Sequence, residues 1–429
     1  MIKTIIVASA KSSAAKLRNF ICISDDSIQK TKSIMDDVVK YGDSAVIAYT
    51  EKLDAVRLNS LKVTEQEVMQ AYDKVTRKQI RSIKLMKKQL LRSEMMLLRR
   101  LKGIEISSDG VRVQRLVQPI PSVGCYIPGG KARYPSTMLM CAIPAKVAGT
   151  KRIVAISPPL KDGTIDPLTL VAADICGVDE FYKVGGAQGI AALTFGTTSI
   201  NKVSKIVGPG GMFVTIAKIL ASSRVSIDMI AGPTELLVYA DSNANPKLIA
   251  LDLISQAEHS YDTFCGLVTT YKELALQVAN SIESILEKNI ISRAEIVKKS
   301  LEENGFIAIC KNESAAIEFV NEVAPEHLEI IARNAKMISK KITSAGVVLI
   351  AKYTPSSASD YCLGSNHVLP TLGFGKSRGS LSVLDFIKIV NTVQSTKSGL
   401  EKVESAIKEL AVAEGLINHY EAVRQRMKK

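Results

Sequence analysis

Histidine is scarce in this chain, with four among 429 residues. Long apolar runs are missing as well. The opening MIKTIIVASAKSS holds only the short run IIVASA, far below a signal-peptide core or a membrane span, so a cytoplasmic protein that leaves the membrane alone is expected. There is no low-complexity tract. The seven cysteines (Cys22, Cys125, Cys141, Cys176, Cys265, Cys310 and Cys362) show no CxxC or other zinc-ligand spacing, and their odd number favours reduced thiols over a disulfide framework. Acidic residues are outnumbered, giving a net charge of +14. The basic stretch Thr76 to Lys102 lacks interleaved aromatics and any nucleic-acid motif, so it reads as an amphipathic helix with a solvated basic face. The positive field could also attract an anionic dinucleotide or substrate.

What is present is a long chain with 46% hydrophobic and 23% charged residues, enough for two or more globular domains. The first hundred residues read as helical, with periodic segments from Ile28 to Tyr49 and from Thr64 to Arg100. From Ile104 the pattern changes to short β-branched runs and turns rich in Gly and Pro. Between Val123 and Tyr239 strand and helix signals alternate, with helices expected at 136–147, 167–176, 187–193 and 212–221. A second alternating set follows, with helices at 272–286 and 313–323, and the portion from Val383 onward reads as helical again. The expected class is α/β: two incomplete Rossmann-like parallel-sheet domains, a helical N-terminal segment and a helical C-terminal tail.

Glycine-rich turns after strands, in IPGGKARYP, KVGGAQGIAA and IVGPGGMF, can present backbone N–H groups to phosphate, although none matches GxGxxG with its distant acidic partner. The histidines carry a sharper signal, because each lies among other polar residues of catalytic type. In LIALDLISQAEHS, Gln256 and His259 are three apart, which puts them on one face of a helix end. Asp360 and His367 lie on a loop rich in Ser and Gly, and Glu414 and His419 on a helix near the end of the chain. Oxygen and nitrogen donors without a thiolate suit zinc or manganese. Glu326 and His327 are adjacent in APEHLEI, where the proline suggests a turn or helix start, and two neighbouring acid/base groups can serve two successive proton transfers.

Taken in order, VGCYIPGGKARYPSTMLMCAIPAKVAG, GGAQGIAALTFGT, VGPGGMFVTIAK, DMIAGPTELLVYAD, LISQAEHS, APEHLEI, SNHVLPT, SLSVLDFIK and EGLINHYEAV resemble the histidinol dehydrogenase family. The resemblance runs from about Val123 to Tyr420. It implies NAD-dependent, four-electron oxidation of L-histidinol to L-histidine through histidinal, the last step of histidine biosynthesis. It further implies one zinc per subunit held by Gln256, His259, Asp360 and His419, with His327 as base and Glu326 activating water. Substrate contacts would come from Thr234, His367 and Glu414 together with Gln256, His259, His327, Asp360 and His419. NAD contacts would come from Tyr126, Gln188 and the Gly211 turn. Gly211 stands where the family has Asn, and AGPTE replaces AGPSE, so Thr234 keeps the hydroxyl and adds a methyl.

The same resemblance implies an intertwined homodimer with the tail supplied in trans. The expected division is a segment 1–22, a first discontinuous α/β domain of 23–122 with 236–382, a second α/β domain of 123–235 on the NAD side, and a tail of 383–429. An aldehyde oxidation through a cysteine thiohemiacetal stays open on sequence grounds at Cys125 and Cys141. Two rivals remain: a basic nucleic-acid-binding protein on an enzyme fold, and a zinc dehydrogenase acting on a different amino alcohol.

Overall fold

The structure is a computed structural model, described here for residues 2–17, 23–101, 103–129, 133–288 and 291–428. Cys22 lies outside the described residues. In chain order the strands are β1 (Lys3–Val7), β2 (Ile104–Ser108), β3 (Val111–Pro119), β4 (Ser122–Tyr126), β5 (Arg152–Ser157), β6 (Glu180–Lys183) and β7 (Lys205–Val207). They continue with β8 (Ser226–Ile227), β9 (Glu235–Ala240), β10 (Phe264–Thr269), β11 (Gly305–Cys310), β12 (His327–Ile331), β13 (Val347–Ile350) and β14 (Ile387–Ser395).

Two of the three sheets are parallel. A five-stranded sheet has the order β6-β5-β4-β7-β8 and a six-stranded sheet the order β1-β11-β10-β9-β12-β13. Parallel strands need crossover helices, which cover both faces and make the strands almost wholly apolar. The strand β9, ELLVYA, is accordingly buried along its length. The third sheet, β14-β3-β2, is antiparallel and stands largely in solvent.

The expected helices at 167–176, 212–221 and 313–323 occur at those bounds, and those at 136–147, 187–193 and 272–286 differ by a residue or two at their ends. The segment 28–49, however, is two helices, Asp25–Tyr41 and Asp43–Asp54, parted at Gly42 with φ 58°. Three further readings are corrected. The segment 64–100 is two helices, Glu65–Asp73 and Arg77–Arg100, because Thr64 with Glu67 and Thr76 with Gln79 each close a capping box. The tail from 383 does not begin as an extended helix: a short 3-10 turn leads into β14, whose alternation in IKIVNTVQS suits an antiparallel edge. Residues 326–327 are not a helix start, since His327 opens β12.

In packing, the N-terminal helices flank the five-stranded sheet on both faces. Met35, Val38 and Val46 pack with Val154, Ile156 and Ile190 on one face of the five-stranded sheet. On its other face, Ile83, Met86 and Leu90 pack with Met138, Leu139 and Ile153. The N-terminal helices therefore belong with the smaller parallel sheet, while β1 crosses to the edge of the larger one.

Candidate active site

The amino ends of β9 and β12 lie side by side, with His327 paired to Leu236, and the loops entering these strands bring Thr234 and Glu326 together. The Glu326 carboxylate accepts the Thr234 hydroxyl at 2.7 Å and the Glu235 amide at 2.7 Å. Gln256 sits in the last turn of the helix Pro246–Ala257, which runs back from β9 and so ends at this same edge. Its amide nitrogen donates to Thr234 Oγ1 at 2.7 Å, leaving the amide oxygen without a hydrogen bond among the described residues. His259 lies just past the helix end, its N–H bonded to the Gln256 carbonyl, and is exposed.

His327 is 2% exposed. Its Nδ1–H donates to the Glu235 carbonyl at 3.1 Å, and its Nε2 faces Asp360 Oδ1 at 3.2 Å. Burial, the largest single effect, disfavours the imidazolium, but the Glu326 and Asp360 carboxylates together outweigh it and hold the His327 pKa well above the usual value. For Asp360, burial acts upward, yet His327 as hydrogen-bond donor, with His367 and His259 nearby, brings the net pKa below the ordinary carboxylate value. His367 donates from Nδ1 to the Asp360 carbonyl at 2.9 Å and accepts the Thr137 hydroxyl at Nε2, 3.2 Å away. Burial lowers its pKa, so it serves as a neutral imidazole.

Thr137 belongs to the first turn of the helix Pro135–Ala148, which follows β4, so His367 ties the amino edge of the larger sheet to the carboxyl edge of the smaller one. That carboxyl edge carries the expected NAD residues. Tyr126 ends β4, and its hydroxyl accepts the Gly186 N–H at 3.3 Å. Gly208, at φ 114°, is required there, because a Cβ would lie 2.1 Å from the Tyr126 carbonyl oxygen. Gln188 is 1% exposed, and neither its amide oxygen nor its nitrogen has a hydrogen-bond partner among the described residues. A buried amide left in that state calls for a polar ligand or ordered water. Gly211 precedes the helix Met212–Ala221 and leaves its first turn without a side-chain cap.

Thr234, Gln256 and Glu326 are thus joined by hydrogen bonds, as are His327, Asp360 and His367, the Glu235 backbone links the two groups, and His259 stands within electrostatic reach. Glu414 and His419 are not brought to them. Both are exposed, on either side of a break at Gly415 between the helices Lys397–Ala413 and Ile417–Met427. Among the described residues no group of three His, Cys, Asp or Glu side chains could hold a metal ion. The donors at hand, an amide oxygen, an imidazole and a carboxylate, still fit zinc by type, with one position left to fill. Cys125 and Cys141 are fully buried, which drives both thiols up in pKa and keeps them from forming the thiolate a thiohemiacetal route needs. Two partners escaped the sequence reading: Glu235, whose carbonyl orients His327, and Thr137, which orients His367. Glu235 adjoins Thr234 in AGPTE, whereas nothing near Thr137 signals its partner.

Residues 22–427 match the family described as histidinol dehydrogenase. A histidinol dehydrogenase of Methanocaldococcus jannaschii is 43% identical over 395 residues, covering 92% of this chain and 91% of the relative. One from Clostridium acetobutylicum is 44% identical over 401 residues, covering 94% and 92%. The crystal structure of histidinol dehydrogenase from Elizabethkingia anophelis superposes with a TM-score of 0.94 at 35% identity, covering 99% of this chain and 98% of that one. With similarity of this extent in both sequence and fold, the chain belongs to the histidinol dehydrogenase family.

Proposed function

We propose that this oxidoreductase carries L-histidinol through histidinal to L-histidine in two NAD-dependent oxidations, the closing step of histidine biosynthesis in the cytoplasm. The observation that carries the reading is the hydrogen-bonded set Thr234, Gln256, Glu326, His327 and Asp360 at the junction of the two parallel sheets. Alcohol-to-acid oxidation needs a base for the alcohol proton and a group to activate water against the aldehyde. Adjacent Glu326 and His327 offer both within one site.

His327, fixed through Nδ1 by the Glu235 carbonyl, presents Nε2 to the alcohol proton. Glu326, held by the Thr234 hydroxyl and the Glu235 amide, keeps an orientation from which it takes a proton from water adding to histidinal. The hydrate then gives up its second pair of electrons and leaves as the carboxylic acid. NAD, when bound, supplies the hydride acceptor for both oxidations, with Tyr126, Gln188 and the Gly211 turn as its contacts. Zinc, when bound by Gln256, His259, Asp360 and His419, supplies a cation that holds the substrate's imidazole and amino group and offsets the pull of Asp360 on the His327 proton. Thr234, His367 and Glu414 complete the substrate contacts.

His419 and Glu414 reach such a site only from a second subunit, which makes a homodimer part of the reading. Exposed apolar residues on the tail and on the antiparallel sheet support it: Leu410 is 63% exposed, Ile417 59%, Ile389 61% and Val393 67%.

The test is the amount of NADH formed per histidinol consumed by zinc-loaded protein with histidinol limiting. Two are expected. A ratio of one would show that oxidation stops at the aldehyde and remove the role of Glu326. No turnover would return the site to other amino alcohols. Glu326→Gln should lower the second oxidation about 100-fold or more and release histidinal, as loss of general base catalysis requires.

A further inference from the structure

The geometry around β12 repeats itself one step deeper than the acid/base pair. Side chains of a strand alternate, so His327, Glu329 and Ile331 share the face covered by the helix Pro246–Ala257, while Leu328 and Ile330 face the opposite core. On that helix Asp252 and Gln256 are four residues apart and share a face. Gln256 meets Thr234, and one turn earlier Asp252 meets Glu329 in a carboxyl–carboxyl hydrogen bond.

Glu329 is 2% exposed and bonds a third element as well. Its Oε1 accepts the Ser356 amide N–H at 2.6 Å. Ser356 opens the single-turn helix Ser356–Ser359, and Asp360 is that helix's C-cap. A turn of this length advances about 6 Å, and the two strand residues from His327 to Glu329 advance about 6.6 Å. The match lets Glu329 grip the start of the turn while His327 meets the residue at its end, Asp360, at 3.2 Å.

We propose that Glu329, bonded to both Asp252 and the Ser356 amide, is a positioning residue that sets Asp360 against His327. Two carboxyl groups can share a hydrogen bond only when one carries a proton, and burial raises both Glu329 and Asp252 above the ordinary carboxylate range. The pair therefore shares one proton, which leaves a single negative charge between the two groups. This role rests on the reading of Asp360 as a zinc ligand and His327 partner, but the anchor itself can be measured without zinc.

Three variants of the full chain test it. Glu329→Gln keeps an acceptor for Ser356 and a donor for Asp252, Glu329→Leu keeps only volume, and Ser356→Pro removes the amide while suiting the first position of a helix. In metal-free protein, amide hydrogen exchange across 354–362 should speed up at least tenfold in Glu329→Leu and Ser356→Pro and stay near wild type in Glu329→Gln. Zinc retained against a chelator should fall about tenfold in the same two variants, and kcat/KM about 100-fold, with Glu329→Gln within about threefold on each readout. Wild-type exchange and zinc retention in a folded Glu329→Leu or Ser356→Pro would overturn the proposal, as would equal damage in Glu329→Gln. Asp360→Ala separates the two levels: if it leaves histidinol oxidation intact, the functional reading of Asp360 fails, while the exchange data still decide the anchor.

Discussion

Glu94, on the long basic helix Arg77–Arg100, spends its charge on a single backbone amide, that of Val383 at 2.7 Å, while being 6% exposed. Burial raises its pKa to about 7. The folded state then binds a proton that the unfolded state has released, so the stabilising contribution is present below about pH 4.5 and is lost as pH rises through 7. Glu94→Gln keeps the acceptor and removes the ionisation cost. It should stabilise the protein by on the order of 2–3 kcal/mol in urea unfolding at pH 8 and by much less at pH 5; equal effects at both pH values would show that the carboxyl stays charged throughout. Cys125→Ala and Cys141→Ala should leave turnover within a few-fold, and a thousandfold loss, about 4 kcal/mol of barrier, would reinstate a covalent route. At this scale the sequence was informative about chemical type, since the scarce histidines and their polar neighbours marked His327, His367 and Asp360. It could not reveal Asp252 with Glu329, because a protonated carboxyl pair looks in a sequence like two ordinary surface charges.

Elements punctuated by their own residues were legible. The helix Pro167–Cys176 begins behind the Asp166 cap with proline in its first turn and ends at Gly177 in the left-handed region, three signals that agree. The break between Asp73 and Arg77 was hidden because the apolar period runs through it, and only the Thr76–Gln79 box marks the new start. β12 was hidden by its brevity and by the proline ahead of it. Gly211 offers a direct test at this scale. It is exposed, its φ is −66°, and no atom lies within 4 Å of where a Cβ would stand, so Gly211→Asn fits without strain. The asparagine should cap the helix Met212–Ala221 and add one hydrogen bond to NAD, tightening NAD by about 1 kcal/mol, roughly fivefold. An unchanged NAD affinity in titration would mean that the backbone turn already satisfies the cofactor.

The whole molecule joins unlike ends of two parallel sheets: the proposed catalytic groups stand at the amino edge of one, the proposed cofactor residues at the carboxyl edge of the other. What single-chain reasoning could not place is the tail, whose residues, in the proposed reading, complete the site across a subunit boundary. Mixing inactive His419→Ala with inactive Asp360→Ala protein under conditions of subunit exchange should recover ~25% of wild-type activity, because half the dimers are mixed and each restores one of two sites. No recovery, with exchange verified, would place the tail in cis. The joining of distant parts also has a temporal side. β1 pairs with β11, Lys3 against Phe306, and Ile6 on that edge strand is 75% exposed even in the finished fold. During translation, at about 5–20 residues per second, this first strand waits on the order of 15–60 s for its neighbour to emerge. By then the residues of the smaller parallel sheet and the helices that cover it have all left the ribosome. The larger sheet closes late around a strand made well before its partner, and β1 is a segment that a chaperone has long to meet.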